Sequence, residues 1–117
     1  MSYGSLNSVL LEGFMVRNPL LREDADKGKV CKITISNNLY YKNVDGGMEK
    51  EVSFFNIEAV GKLADICMEK GRKGRGVRVV GRLSQTRWTG NDGKTHDKVS
   101  VVAEHIEYRP ESANVVE

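Results

Sequence analysis

Several kinds of chemistry are excluded by what this 117-residue chain lacks. It has two cysteines, Cys31 and Cys67, 36 positions apart and without the spacing of metal ligands. They read as free buried thiols in a reducing compartment, with a disulfide as the lesser alternative. Its two histidines, His96 and His105, have no Cys, His or carboxylate companion at ligand spacing, so no metal is expected. No Ser/His/Asp or Cys/His set appears at matched places, which argues against an enzyme. Gly93-Lys94-Thr95 ends like a phosphate-binding P-loop, yet the required first glycine falls where Trp88 stands, and a strand pattern follows instead of a helix. No apolar run is long enough to cross a bilayer. The opening MSYGSLNS has no basic region followed by an apolar stretch, so no signal peptide is expected. A cytoplasmic protein without cofactor and without membrane contact is the expectation.

What is present is an uneven distribution of charge. Apolar residues make up 39% of the chain, enough for one domain with a single core, and the net charge is only +2. Between Lys70 and Lys98, however, nine Lys and Arg face only Asp92 and Asp97, so this segment carries +7 and the rest −5. Basic runs are commonly just solvated. Here the run coincides with the one tryptophan, and the combination points to an anionic polymer.

The centre of that segment is a long hairpin, Val77 to Val102. Val77, Val79 and Val80 read as a strand. Trp88 lies between Arg87 and Thr89, and Gly90-Asn91-Asp92-Gly93 reverses the chain before Val99 to Val102. Asp-Gly is a strong hairpin signal because both residues tolerate positive φ. A large aromatic near the tip of a basic hairpin suits a ligand better than a core, although a core or subunit-interface role is the plain alternative.

Upstream, Asn7 to Val16 reads as a strand with Val9, Leu11 and Met15 on one face and Leu10 and Phe14 on the other. Gly13 marks a bend or a close approach, and Glu12 belongs at an edge or in solvent. Asn18-Pro19 ends this strand, and Arg22 to Lys29 reads as a polar loop. Val30 to Asn37 alternates Cys31, Ile33 and Ile35 inward with Lys32, Thr34 and Ser36 outward. Asn38 to Lys50 reads as a second polar excursion holding Tyr40 and Tyr41. Glu51 to Val60 is a third strand, with Phe55, Ile57 and Ala59 on the core side and Phe54, Asn56 and Glu58 opposite. The period then changes: Leu63, Ile66 and Cys67 predict one short amphipathic helix over Lys62 to Lys70, with Gly71 as its C-terminal cap. His105 to Tyr108 continues the last strand.

Three strands, one helix and two strands is the order of the OB-fold: all-β with one short helix, a five-stranded Greek-key barrel with the helix between strands three and four. Its ligand face is formed by strands two and three and the flanking loops. Tyr40, Tyr41 and Phe54 come from that face or its adjoining loop, and Trp88 from the hairpin of strands four and five.

Over roughly Asn7 to Tyr108 the chain resembles the bacterial-type single-stranded DNA-binding proteins. The residues that carry the likeness are Asn7-Ser8-Val9-Leu10-Leu11-Glu12-Gly13 with Asn18-Pro19, then Gly61-Lys62-Leu63-Ala64-Asp65 and Lys70-Gly71, then Val80-Gly81-Arg82-Leu83 running into Thr86-Arg87-Trp88-Thr89. The resemblance implies an OB-fold domain over residues 1–109, a disordered tail over 110–117, and a homotetramer that wraps single-stranded DNA with little sequence preference during replication, recombination and repair, associated with the nucleoid. It also implies base stacking by Trp88, Phe54 and either Tyr41 or Tyr40. Counting from Ile33 favours Tyr41, and strand alternation favours Tyr40. A fourth family aromatic corresponds to Val60 here. Family phosphate contacts match Lys62, Arg72, Lys73 and Arg87, and Arg82 and Arg75 join them on charge alone. The family's acidic C-terminal tip, which recruits replication and repair proteins, is missing from the chain's end at Asn114-Val115-Val116-Glu117, so that recruitment is in doubt. The alternatives are an OB-fold accessory protein that binds single strands weakly, and an RNA-binding OB domain.

Overall fold

The alternation around Ile33 and Ile35 builds one side of a barrel, and the computed structural model, which describes residues 4–111, shows how the chain closes it. Its elements are β1 (Val9–Met15), β2 (Leu20–Asp24), β3 (Gly28–Lys42), β4 (Met48–Val60), α1 (Lys62–Lys70), β5 (Gly76–Thr89) and β6 (Thr95–Tyr108). The strands neighbour one another in the order β1-β5-β6-β4-β3-β2, and a second pairing of β1, with β3, closes β1, β3, β4, β6 and β5 into a five-stranded barrel. All pairings are antiparallel except β4 with β6, a short parallel seam at Ile57–Val101 and Glu58–Val102. This is the expected OB-fold, with its helix between the third and fourth barrel strands.

The closure depends on Gly13. β1 pairs with β5 from Val9 to Phe14 and with β3 at Phe14 and Met15, so it changes partners at this corner. A Cβ on Gly13 would collide with the Ser36 carbonyl oxygen. The glycine is the close approach its sequence position suggested.

Inside lie Met15, Cys31, Ile33, Ile35, Ile57, Ala59, Val77, Val79, Val101, Ala103 and Ile106, and α1 covers one end of the barrel with Ala64 and Cys67. Both cysteines are free and buried, and the Cys31 Sγ–H donates to Met68 Sδ at 3.7 Å. The neighbouring Cys67 sulfur, together with burial, pushes the Cys31 thiol up, away from the thiolate that reacts.

Four local expectations are corrected and one, the cap at Gly71, is refined. Residues 22–29 are not simply a loop, because Leu20–Asp24 forms β2 and pairs with β3. Every residue of β2 is exposed, so no buried face imposes the alternation that identifies a strand. Residues 38–50 are not an excursion: the β3–β4 ladder continues to Lys42–Met48, and only a tight turn remains. That turn and the β5–β6 turn are closed alike. Gly46 N–H donates to Asn43 O (3.1 Å) with Gly46 at φ 87°, and Gly93 N–H donates to Gly90 O (3.0 Å) with Gly93 at φ 78°. In each Asp-Gly pair only the glycine has positive φ, so these are three-residue loops rather than two-residue ones. Gly71 is the expected C-terminal cap, its N–H donating to Cys67 O at 2.8 Å, but it caps in an extended conformation (φ −82°). It is glycine for space: a Cβ would meet Cys67 O at 2.6 Å and the Met15 side chain at 3.0 Å. Finally, the helix buries Ala64 and Cys67, with Leu63 partly covered and Ile66 exposed.

Of the tail over 110–117, only Pro110 and Glu111 are within the described residues. Among the described residues no helix is long and apolar enough to cross a membrane.

Candidate nucleic-acid interface

The β3–β4 ladder is unbroken from Val30–Val60 to Lys42–Met48. Because side chains alternate between faces, register alone assigns each residue to a side. The inner side carries Ile33, Ile35 and Ile57. The outer side carries the pairs Lys32–Glu58, Thr34–Asn56, Ser36–Phe54 and Tyr40–Lys50. Tyr40 therefore shares the outer face with Phe54, and both are well exposed, at 62% and 63%. Tyr41 lies on the other face, where its hydroxyl donates to Glu49 Oε1 at 3.1 Å. The hydrogen bond from Asn43 and that from Tyr41 hold the Glu49 carboxyl below its usual range.

The parallel seam extends this face onto β6. Register of Ile57 with Val101 puts Ser100 beside Asn56, and Lys98 and His96 follow on the same side. Across β6, the outer residues of β5 are Arg82, Ser84, Thr86 and Trp88, in register with Val102, Ser100, Lys98 and His96. Trp88 is half-exposed, and its indole stacks on the His96 ring with centroids 5.6 Å apart and planes 24° apart. Tyr40, Phe54 and Trp88 thus occupy one continuous outer face spanning β3, β4, β6 and β5.

At the centre of this face is a cleft of about 130 Å³, lined by Arg17 and Leu20 from the β1–β2 connection and the start of β2, Lys32 and Thr34 from β3, Asn56 and Glu58 from β4, and Lys98 and Ser100 from β6. Thr34 Oγ1 donates to Asn56 Oδ1 at 3.0 Å across its floor. Three cations border it, and Glu58 partly offsets them through ion pairs with Lys27 (3.5 Å) and Lys32 (4.0 Å).

The basic residues expected from sequence divide into groups. Arg82 is exposed on the Trp88 side. Lys73 is exposed on the α1–β5 loop, and its backbone N–H donates to Asn18 Oδ1 (2.8 Å), which ties that loop to the turn carrying Arg17. Lys62 opens α1 and is exposed. Arg87 projects to the face opposite Trp88 and bonds Asp97 Oδ1 at 2.8 Å. Arg72 pairs with Glu111 at 2.7 Å. Arg75 is spent internally. Its Nε donates to Arg109 O (2.7 Å), its Nη1 to Lys70 O (3.0 Å), its guanidinium lies 5.7 Å from the Tyr108 ring centroid, and its side chain is only 12% exposed.

Arg17, Lys32 and Lys98, which line the cleft, are not among the site residues expected from sequence. Lys32 had a usable signal, since alternation put it outward on the ligand-side strand. Arg17 lies outside the basic segment, so counting charge along the chain passes over it.

The profile of the Single-strand binding protein family matches residues 6–109. Among curated proteins, the chain is 34% identical over 112 residues to the single-stranded DNA-binding protein of Aquifex aeolicus, covering 94% of this chain and 76% of that one. It is 38% identical over 93 residues to single-stranded DNA-binding protein 1 of Chlorobaculum tepidum, covering 80% of this chain and 56% of the relative. Among solved structures it is similar to a Plasmodium falciparum SSB complex with ssDNA (TM-score 0.81, 21% identity, 94% of this chain and 100% of that one). It is also similar to a deletion mutant of the single-stranded DNA binding protein from Thermus aquaticus (TM-score 0.79, 23% identity, 90% of this chain and 51% of that one). These two likenesses concern the fold.

Proposed function

Given that the chain belongs to the single-strand binding protein family, a family of binding proteins and not of enzymes, we propose that it binds single-stranded DNA with little sequence preference and protects it during replication, recombination and repair. Bases stack on Tyr40, Phe54 and Trp88, whose π-faces accept any base. Phosphates are neutralised by Arg17, Lys32, Lys98, Arg82 and Lys73, with Lys62 at the barrel end. Arg72 and Arg87 join when phosphate displaces Glu111 and Asp97. Arg75 and Tyr41 support the scaffold instead.

The observation that carries this reading is the shared outer face: three exposed aromatics lie on the same side of the sheet as a cleft lined by Arg17, Lys32 and Lys98. A single strand exposes both a phosphate track and unpaired bases, and this face offers partners to both. Assembly into a homotetramer belongs to the same proposal. Leu10 on β1 is 77% exposed, a surface that such an assembly would cover.

Titration of the intrinsic Trp88 fluorescence with poly-dT and poly-U at two salt concentrations tests it. Strong quenching by poly-dT that weakens with salt is expected; Trp88→Ala, which has no tryptophan left and is followed by the anisotropy of a labelled oligo-dT, should lose about 1–3 kcal/mol of affinity. Binding unchanged by Trp88→Ala, or a clear preference for poly-U, overturns the reading.

A further inference from the structure

The turn at the tip of the β5–β6 hairpin builds a support for a ring. Asp92 Oδ1 accepts the Lys94 backbone N–H at 2.9 Å, which fixes the carboxylate to the turn. The same oxygen lies 3.2 Å from His96 Nε2, which fixes the imidazole. Gly90 lies directly against that imidazole: a Cβ there would fall 2.8 Å from His96 Nε2 and 2.9 Å from Cδ2, both atoms of a side chain that would have to swing away. The imidazole so held stacks on Trp88, its cross-strand partner. Turn backbone, carboxylate, imidazole and indole form one chain of contacts, in which each member leaves the next fewer orientations.

From this we infer that His96 is a positioning residue for Trp88. It covers one face of the indole and holds the ring flat, so that the opposite face receives a base without first losing rotamer freedom. The inference rests on the DNA-binding reading above and adds to it a residue whose effect passes through Trp88, not through phosphate. A surface tryptophan without this support would spread over several rotamers and bind each base more weakly.

Two measurements on the full chain test it, each using His96→Ala, Gly90→Ala and His96→Phe. Without DNA, the near-UV circular dichroism of Trp88 should shrink in His96→Ala and Gly90→Ala and persist in His96→Phe, where a flat ring remains. With a fluorescein-labelled oligo-dT followed by anisotropy, His96→Ala and Gly90→Ala should bind about two- to ten-fold more weakly, the range of one aromatic pair. Their salt slope should be unchanged, and His96→Phe should restore affinity. In a Trp88→Ala background, His96→Ala should have no further effect. A lower salt slope in His96→Ala, with its loss persisting after Trp88 is removed, would mean that the imidazole touches phosphate directly and would overturn the inference. So would full affinity in both His96→Ala and Gly90→Ala. If Trp88→Ala itself binds normally, it is the DNA-binding reading that fails.

Discussion

Tyr40 and Tyr41 are adjacent in sequence but lie on opposite faces of one unbroken ladder, Tyr40 with Phe54 and Tyr41 against Glu49. The difference decides which ring is free to stack. Tyr40→Ala should weaken binding to mixed-sequence single-stranded DNA by about 1–3 kcal/mol. Tyr41→Ala should leave affinity nearly unchanged and loosen only the hairpin tip. Equal losses from both, measured by anisotropy at fixed salt, would contradict the assignment of faces.

The cations of the cleft should be separable from the cation that holds the scaffold. Arg17→Ala and Lys98→Ala should each flatten the dependence of log affinity on log salt by about 0.7, the effect of one phosphate contact on a single strand. Arg75→Ala should leave that slope alone. Its guanidinium donates to two backbone carbonyls, so the loss should appear as about 1–3 kcal/mol in a urea melt.

Gly13 carries a prediction about folding alone. Gly13→Ala forces a methyl group against the Ser36 carbonyl at the corner where β1 passes from β5 to β3. Destabilisation of about 1–3 kcal/mol is expected. A denaturant midpoint equal to that of the unsubstituted chain would mean that the corner is loose.

Glu12 links β1 to β5 and to the chain beyond β6, pairing with Arg78 at 2.7 Å and Arg109 at 3.5 Å. The Arg78 hydrogen bond, then its charge, holds the Glu12 carboxyl below the ordinary 4.5, and Arg109 adds to this. A carboxyl lowered on folding contributes stability that is fully present above pH 4.5 and is lost as pH falls through the lowered value. Glu12→Gln should therefore be less stable than the parent at neutral pH, and thermal melts of the two should converge as the solution is acidified. A gap that widens on acidification would show that the pair does not act this way.

Sequence patterning reached the barrel because most of its strands have one buried face. The alternation of Ile33 and Ile35 with Lys32 and Thr34, and the change of period at Lys62, are direct consequences of burial. β2 was illegible because it has no buried side. The far half of the β3–β4 hairpin was illegible for the same reason, since beyond Phe55 the inner face opens to solvent and carries Asn37, Leu39 and Glu51. A readable cue was nonetheless present: Asp45-Gly46 is the dipeptide that marked the other turn at Asp92-Gly93. In the candidate site, Phe54 and Trp88 were legible because alternation and the turn signal placed them off the core, whereas only the register of the ladder separates Tyr40 from Tyr41. The cations were less so. Neighbours in a basic run, such as Arg87 and Arg82, project to opposite sides of a strand, whereas Arg17 and Lys98 meet across 81 residues of sequence.

The parallel seam joins β4 to β6 through only Ile57–Val101 and Glu58–Val102, and the cleft lies across it, with Asn56 and Glu58 on one bank and Lys98 and Ser100 on the other. An oligonucleotide seated there would grip both banks and act as a clasp over one of the two shortest joins of the barrel, the other being β1 with β3. Occupancy should then slow hydrogen exchange at the seam residues Ile57, Glu58, Val101 and Val102 more than along the stretches of the β5–β6 ladder away from the seam, coupling the grip on DNA to the rigidity of the fold itself.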